Sequence, residues 1–88
     1  MALTKSLAHA LAGRGTTVNC LVPGYIRTTR PSTIEKGRRE DIAAKIPIGH
    51  IGQISDVIEP VAFMASDGAK YITGQVIAIG GGLQLPVR

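Results

Sequence analysis

The stretch Thr16-Thr17-Val18-Asn19-Cys20-Leu21-Val22, followed by Pro23-Gly24, decides how the rest of this chain is interpreted. Its β-branched and apolar residues predict a buried strand over 16–22 that ends in a sharp loop at the Pro-Gly pair. A second strand is predicted over Gln75-Val76-Ile77-Ala78-Ile79, before Gly80-Gly81-Gly82. Both runs are mostly apolar, which is typical of strands covered on both faces of a parallel sheet.

Two helices are expected in the first half of the chain. An apolar stripe at helical spacing predicts an amphipathic helix over 2–13, which ends at Gly13. The pattern Ser32 to Glu35 matches a capping box and begins a weak polar helix, which Pro47 ends. The first of these helices is expected to be the stronger because its apolar stripe is longer.

A further helix is predicted over 56–66, with Ser55 as its capping residue and Asp56 at the positive end of its dipole. After Glu59 this helix has almost no polar face, so we expect it to be largely buried, either in this chain or against another. Pro60 removes one backbone donor about a turn inside the helix, where it favours a kink.

The order of these elements indicates the fold class. A strand, a long connection that contains helices, and a second strand indicate a right-handed parallel crossover, and hence an α/β fold. Two strands alone are marginally stable in water. We therefore expect the remaining strands to come from the rest of a larger chain or from a partner.

Composition and charge exclude several classes of protein. The 88 residues suffice for one domain, and with 44% apolar and 18% charged residues they do not form a disordered tail. The net charge of +4 arises in residues 1–45, which hold eight basic and three acidic side chains. Because the basic residues are scattered and the chain has no Trp, this pattern argues against nucleic-acid binding.

The apolar runs, the single cysteine and the two histidines indicate the cellular location and bear on metal binding. The apolar runs are shorter than a membrane span. The single Cys20 and an amino terminus with the pattern of a helix rather than a signal peptide favour a reducing cytoplasm, with no export. His9 and His50 have no other ligands at metal-binding spacing, so we predict no metal site.

A series of motifs follows in a fixed order along nearly the whole chain. The motifs are Leu3-Thr4-Lys5-Ser6-Leu7-Ala8, Gly15-Thr16-Thr17-Val18-Asn19, Pro23-Gly24-Tyr25-Ile26-Arg27-Thr28, Pro47-Ile48-Gly49-His50-Ile51-Gly52, Val61-Ala62-Phe63-Met64-Ala65-Ser66-Asp67 and Tyr71-Ile72-Thr73-Gly74-Gln75-Val76. This series resembles the last third of the short-chain dehydrogenase/reductase family. The resemblance implies that residues 1–88 are a single partial domain, the C-terminal part of a Rossmann-like, doubly wound parallel sheet.

The resemblance implies a nicotinamide cofactor, NAD or NADP, bound by Pro23, Gly24, Ile26 and Thr28. In the family, the equivalents of Ile26 and Thr28 contact the nicotinamide amide through backbone and hydroxyl. Pro23 sets the direction of the loop, and Gly24 lets the backbone approach a flat ring at the carboxyl end of a strand. The alternative for Thr28 is a hydroxyl that only closes the turn. Residues 29–46 correspond to the substrate flap, or to an ordinary polar surface loop.

The family's catalytic residues precede the point that corresponds to Met1. They are a Ser and a Tyr-x-x-x-Lys pair, and the glycine-rich phosphate loop also lies upstream. Lys5 is not the catalytic lysine, because Met1 stands where a Tyr is required; we expect a solvated helix lysine. We therefore predict no catalytic residue in these 88 residues, and weak or no cofactor binding by the chain alone.

Two functions follow from the resemblance. The first is a segment or truncated homologue of an NAD(P)-dependent oxidoreductase, which transfers hydride between nicotinamide and a small-molecule carbonyl compound or secondary alcohol. The alternative is a non-catalytic interaction module that pairs with itself or with a full-length homologue through the first helix, the helix over 56–66 and the last strand. Both imply a homo-oligomer or association with a missing N-terminal portion, without nucleic acid or membrane as partner.

Three individual residues complete the expectations. His50 stands where the family often carries Arg, and Gly80 stands where it usually carries an acidic residue. At both positions this chain lacks the charged side chain that the family resemblance leads us to expect. Asn19 is expected to be a buried hydrogen-bonding residue rather than a catalytic one.

Overall fold

A computed structural model describes residues 1–27 and 36–83, and it describes the side chains of the second range from residue 38 onward. The capping pattern at Ser32 to Glu35 and the candidate residue Thr28 lie outside these ranges. The described elements, in chain order, are helix α1 (Ala2–Leu11), strands β1 (Cys20–Pro23) and β2 (Ile26–Arg27), helix α2 (Lys36–Lys45), strand β3 (Gly52–Gln53), helix α3 (Ser55–Met64) and strand β4 (Val76–Ile79), with 3₁₀ turns at Ala12–Arg14 and Asp67–Ala69.

The two predicted strands pair as expected. β1 and β4 are parallel neighbours, with Cys20 opposite Val76 and Pro23 opposite Ile79. Their carboxyl ends therefore lie side by side at one edge of the sheet. The prediction of a partial Rossmann-like α/β fold with parallel strands is confirmed.

The first strand begins later than predicted. Residues 16–19 were expected in the strand, but β1 starts at Cys20 because the preceding residues bond to the loop before β4. The Val18 N–H donates to the Thr73 hydroxyl at 3.0 Å, and the Val18 carbonyl accepts from the Gly74 N–H at 2.8 Å. The Asn19 side chain continues this connection: the predicted hydrogen bonding is found, but the residue is half-buried rather than buried.

α1 lies against the same loop. Ala8 is 4% exposed, and Gly74, at φ +73°, would bring a Cβ within 3.5 Å of the Ala8 Cβ. Lys5 is exposed, but it is not simply solvated as predicted, because its ammonium group donates to the Gly74 carbonyl at 2.7 Å. Leu3, on the apolar stripe of α1, stays 69% exposed within this chain.

The predictions for the start of α3 and for its burial need correction. Ser55 makes no capping hydrogen bond. Asp56 lies in the first turn, where its charge favours the helix dipole, and its Oδ2 accepts from the Gln53 N–H at 2.7 Å, in the segment before the helix. No residue of α3 is buried, and Ile58 and Phe63 are 57% and 50% exposed, so burial within this chain is wrong.

The packed interior is small. Among the described residues only Ala8, Ile46 and Ala69 are buried hydrophobic residues. Ile46 follows α2 directly and lies at the carboxyl end of the sheet, beside the loops described below. No helix among residues 1–27 and 36–83 has the length and hydropathy needed to cross a lipid bilayer.

Candidate cofactor and ligand site

The loop after β1 is bonded to the end of β4. The Gly24 N–H donates to the Ile79 carbonyl at 3.0 Å, which continues the parallel ladder one step past Pro23. Pro23 itself has no N–H, so its only backbone polar group is a carbonyl. The chain therefore leaves the sheet at a fixed position, next to the carboxyl end of β4.

Beyond Gly24 the chain forms a second parallel pair that the sequence did not predict. β2 pairs with β3, with Ile26 opposite Gly52, and the Gly52 N–H donates to the Tyr25 carbonyl at 3.0 Å. In a parallel pair, one residue bonds to the two neighbours of the residue opposite to it. Ile26 therefore directs its own N–H and carbonyl to the edge of β2 that faces away from β3.

The backbone of Gly52 lies close to the end of the Ile26 side chain. A Cβ built at position 52 would lie 2.8 Å from the Cδ1 of Ile26 and 3.5 Å from the Tyr25 carbonyl oxygen. Cδ1 is the far end of a flexible side chain, so a small rotation of Ile26 would make room for a larger residue. The two short strands are held together by their backbone pairing.

The glycine run after β4 forms the other side of the site. Gly81 and Gly82 have φ values of +65° and +92°, which is the left-handed region that favours glycine. The Gly81 carbonyl accepts from the Ile48 N–H at 3.0 Å, and a Cβ at Gly81 would lie 2.8 Å from the Cγ2 of Ile46. The segment after α2 is therefore packed closely on the backbone of the glycine run.

The loop after β1, the segment 46–52 and the glycine run 80–82 border a pocket of about 510 Å³. It lies at the carboxyl edge of the two strand pairs. Its walls are mainly isoleucine side chains and glycine backbone, and its polar groups are few. We call it the edge pocket. It is lined by Tyr25, Ile26, Ile46, Ile48, His50, Gly52, Asp56, Ala78, Ile79, Gly80, Gly81 and Gly82.

Two side chains on the wall of the edge pocket carry or can acquire charge. The His50 Nδ1 lies 3.1 Å from the carbonyl oxygen of Ile51, and the Asp56 Oδ2 is held by the Gln53 N–H. Both side chains are exposed. No group of three His, Cys, Asp or Glu residues suited to a metal ion occurs within residues 1–27 and 36–83.

One of the four predicted cofactor-binding residues lines the edge pocket, and two lie beside it. Ile26 lines the edge pocket, whereas Pro23 and Gly24 lie beside it at the end of β1, and Thr28 is outside the described residues. Sequence reasoning missed the contribution of 46–52 and 80–82. The signal in the sequence is the glycine content of both segments, which allows close backbone approaches.

The sequence matches a known protein family over almost its whole length. The family described as enoyl-(acyl carrier protein) reductase matches residues 1–84. The chain belongs to the short-chain dehydrogenase/reductase family of oxidoreductases.

Individual relatives give a narrower picture. The chain is 47% identical over 81 residues to the 3-oxoacyl-(acyl-carrier-protein) reductase FabG of Rickettsia felis, which covers 92% of this chain and 34% of the relative. It is 45% identical over 83 residues to the reductase of the same name from Staphylococcus aureus strain Mu50, which covers 94% of this chain and 34% of the relative. The chain thus spans about a third of the length of the curated relatives it matches.

Proposed function

We propose that this chain provides the nicotinamide-side loop and the substrate-side wall of an NAD(P)-dependent reductase that acts on 3-oxoacyl groups. The observation that carries this proposal is the backbone at Ile26. Its N–H and carbonyl point to the edge of β2 opposite β3, since Gly52 bonds to the neighbouring Tyr25. One donor and one acceptor side by side complement a carboxamide, which also has one of each.

The surroundings of Ile26 fit a flat ring with an amide substituent. The pocket beside it is apolar over most of its wall and opens at the carboxyl edge of parallel strands, where ligands bind in α/β sheets. The pairing of β2 with β3, with the Gly52 N–H bonded to the Tyr25 carbonyl, holds the loop backbone beside the pocket. A nicotinamide cofactor, when bound, supplies a hydride for a carbonyl carbon or accepts one from a secondary alcohol.

The chain's own residues have limited roles in this reaction. Ile26 orients the carboxamide through its backbone, Pro23 and Gly24 set the path of the loop, and the Thr28 hydroxyl adds a further contact to the amide. None of these four residues acts as the acid or base that moves the substrate proton. The sequence contains no Tyr followed four positions later by Lys, so that pair belongs to the part of the family fold that these 88 residues do not represent.

The substrate class follows the two relatives named above, both 3-oxoacyl-(acyl-carrier-protein) reductases. A 3-oxoacyl group is a carbonyl compound with an aliphatic tail, which suits an apolar pocket next to the hydride donor. Cytoplasmic location and assembly into oligomers are part of the same proposal.

A chimera tests this proposal. The chain replaces the matching 81 residues of the Rickettsia felis reductase, and NADPH oxidation is measured with acetoacetyl-N-acetylcysteamine as substrate. We expect turnover, and we expect Thr28→Val to raise the KM for NADPH several-fold, because a hydrogen bond of about 1 kcal/mol is lost. Thr29→Val removes the adjacent hydroxyl and serves as the matched control. A folded chimera that does not bind NADPH would overturn the proposal.

A second candidate function, a non-catalytic interaction module, is favoured by one observation. Large apolar side chains of α3 and β4 are exposed in this chain, among them Ile58 (57%), Val61 (49%), Phe63 (50%) and Val76 (38%). Such a surface favours association with a second copy or with a homologue. Sedimentation velocity tests the self-associating form of this module, because a monomer at all concentrations would exclude it.

A further inference from the structure

Strand β3 is held from both of its edges. On one edge the Gly52 N–H donates to the carbonyl of Tyr25, the residue before β2, at 3.0 Å. Successive backbone N–H groups of a strand point to opposite edges, so the N–H of Gln53 points away from β2. On that outer edge it donates to the Asp56 Oδ2 at 2.7 Å. β3 therefore lies between the loop proposed to bind the cofactor and the carboxylate of Asp56.

Asp56 joins β3 to helix α3. It lies in the first turn of α3, whose first backbone bonds run from the N–H groups of Val57 and Ile58 to the Ile54 carbonyl. Its Oδ2 also lies 3.7 Å from the position that a Cβ would take at Gly52, so the carboxylate is close to the backbone of β3. A backbone N–H bonds more strongly to an ionised carboxylate than to a neutral acceptor. This contact therefore helps to fix the position of β3 relative to α3.

The pairing of β2 with β3 is too short to be stable by itself. Only two residues of each strand pair, with Ile26 opposite Gly52, and even a longer two-stranded hairpin is marginal in water. The bond from Gly52 to Tyr25 directly precedes Ile26 in the chain. A displacement of β3 at its outer edge is therefore passed to the backbone of Ile26.

We propose that Asp56 is a positioning residue for the nicotinamide carboxamide, and that it acts through β3 on the backbone N–H and carbonyl of Ile26. The inference rests on the proposed function, because that function assigns the carboxamide to Ile26. In this role Asp56 does not contact the cofactor. Without its carboxylate, β3 is held from one edge only, and the donor and acceptor of Ile26 are less well fixed.

Hydrogen exchange of the chimera without cofactor, read by mass spectrometry at single residues, tests the link between Asp56 and the loop. Asp56→Ala removes the acceptor, whereas the amide oxygen of Asp56→Asn still accepts from the Gln53 N–H. We expect Asp56→Ala to speed exchange of both the Gln53 and the Gly52 amides by about 3- to 10-fold, the equivalent of one hydrogen bond, and Asp56→Asn to restore the protection. Glu59→Ala removes another exposed carboxylate from the same helix and is the matched control.

Equilibrium binding to the chimera tests whether this link positions the carboxamide. The probes are NADPH, its 3-acetylpyridine analogue, in which a methyl group replaces the amide nitrogen, and 2′,5′-ADP, which has no nicotinamide. We expect the unsubstituted chimera to bind the analogue about 3- to 10-fold more weakly than NADPH, because one hydrogen bond is lost. In Asp56→Ala this difference falls below about 2-fold, and Asp56→Asn restores it. Affinity for 2′,5′-ADP stays the same in every variant.

The results separate this inference from the proposed function. Unchanged exchange at Gly52 in Asp56→Ala, or an unchanged difference between NADPH and the analogue, would overturn the inference and leave the proposed function standing. Weaker binding of 2′,5′-ADP by Asp56→Ala would also overturn it, because a general loss of structure would then explain the effect. Equal binding of NADPH and the analogue by the unsubstituted chimera would overturn both, since Ile26 would then make no use of the amide nitrogen.

Discussion

Replacing Gly81 by alanine tests whether the glycine run is required for the structure at the edge pocket. Two effects act together at this position. The φ of +65° is unfavourable for alanine by about 1–2 kcal/mol, and the new Cβ would lie 2.8 Å from the Ile46 Cγ2. Cγ2 is bound directly to the Ile46 Cβ, and Ile46 is 4% exposed, so the contact is difficult to relieve. Overpacking of this kind costs about 1–3 kcal/mol, so we expect a total loss of roughly 2–5 kcal/mol.

Two other glycines separate these effects. Gly15 has a φ of +75° with nothing within 4 Å of a built Cβ, so Gly15→Ala measures the backbone cost alone, about 1 kcal/mol. Gly13 has no positive φ and also has open space, so Gly13→Ala should be neutral or stabilising by up to about 1 kcal/mol. The difference between Gly81→Ala and Gly15→Ala is therefore the cost of the contact with Ile46.

Urea unfolding followed by circular dichroism measures all three variants. At a slope of about 1 kcal/mol per molar urea, typical of a small domain, the midpoint of Gly81→Ala falls roughly 2–6 M below that of Gly13→Ala. Because few residues are buried, trimethylamine N-oxide is added equally to every sample to provide a folded baseline. Equal midpoints for Gly81→Ala and Gly13→Ala would refute the packing described for the glycine run.

Three further predictions concern the loop before β4, helix α1 and helix α3. Asn19→Ala removes both hydrogen bonds to the loop before β4, so the free energy of unfolding in urea falls by about 1–3 kcal/mol; a loss no larger than that of Lys5→Met would contradict this. Lys5→Met removes an exposed bond to the Gly74 carbonyl, and a thermal melt should show a loss below about 1 kcal/mol. Phe63→Ser, at a residue that is 50% exposed, lowers the sedimentation coefficient at high concentration if α3 mediates association, whereas Glu59→Gln on the same helix does not.

Several features could be predicted from the sequence because they depend on local patterns. α1, the parallel pairing of the two apolar runs and the class of fold follow from periodicity and from the length of the connection. The hydrogen bonding of Asn19 followed from a polar side chain within an apolar run. Family membership followed from motifs that are contiguous in the sequence.

Other predictions failed where a distant segment competes with a local preference. Ser55 has the chemistry of a capping residue, but Asp56 reaches back to the Gln53 N–H instead. The strand predicted from residue 16 starts at Cys20, because the backbone before it bonds to the loop at 72–75. α3 appeared buried from its composition, yet the described part of this chain does not cover it.

The sequence by itself determined the fold class, the family and the loop that follows the first strand, since each depends on residue types at short separations. Only the tertiary structure decided that Ile26, His50, Asp56 and the run 80–82 share one pocket. Their convergence depends on two parallel pairings between distant segments and on the close approach of Gly81, at a positive φ, to the Ile46 side chain. A pattern of residue types does not encode such distances, because they arise only when the segments pack together.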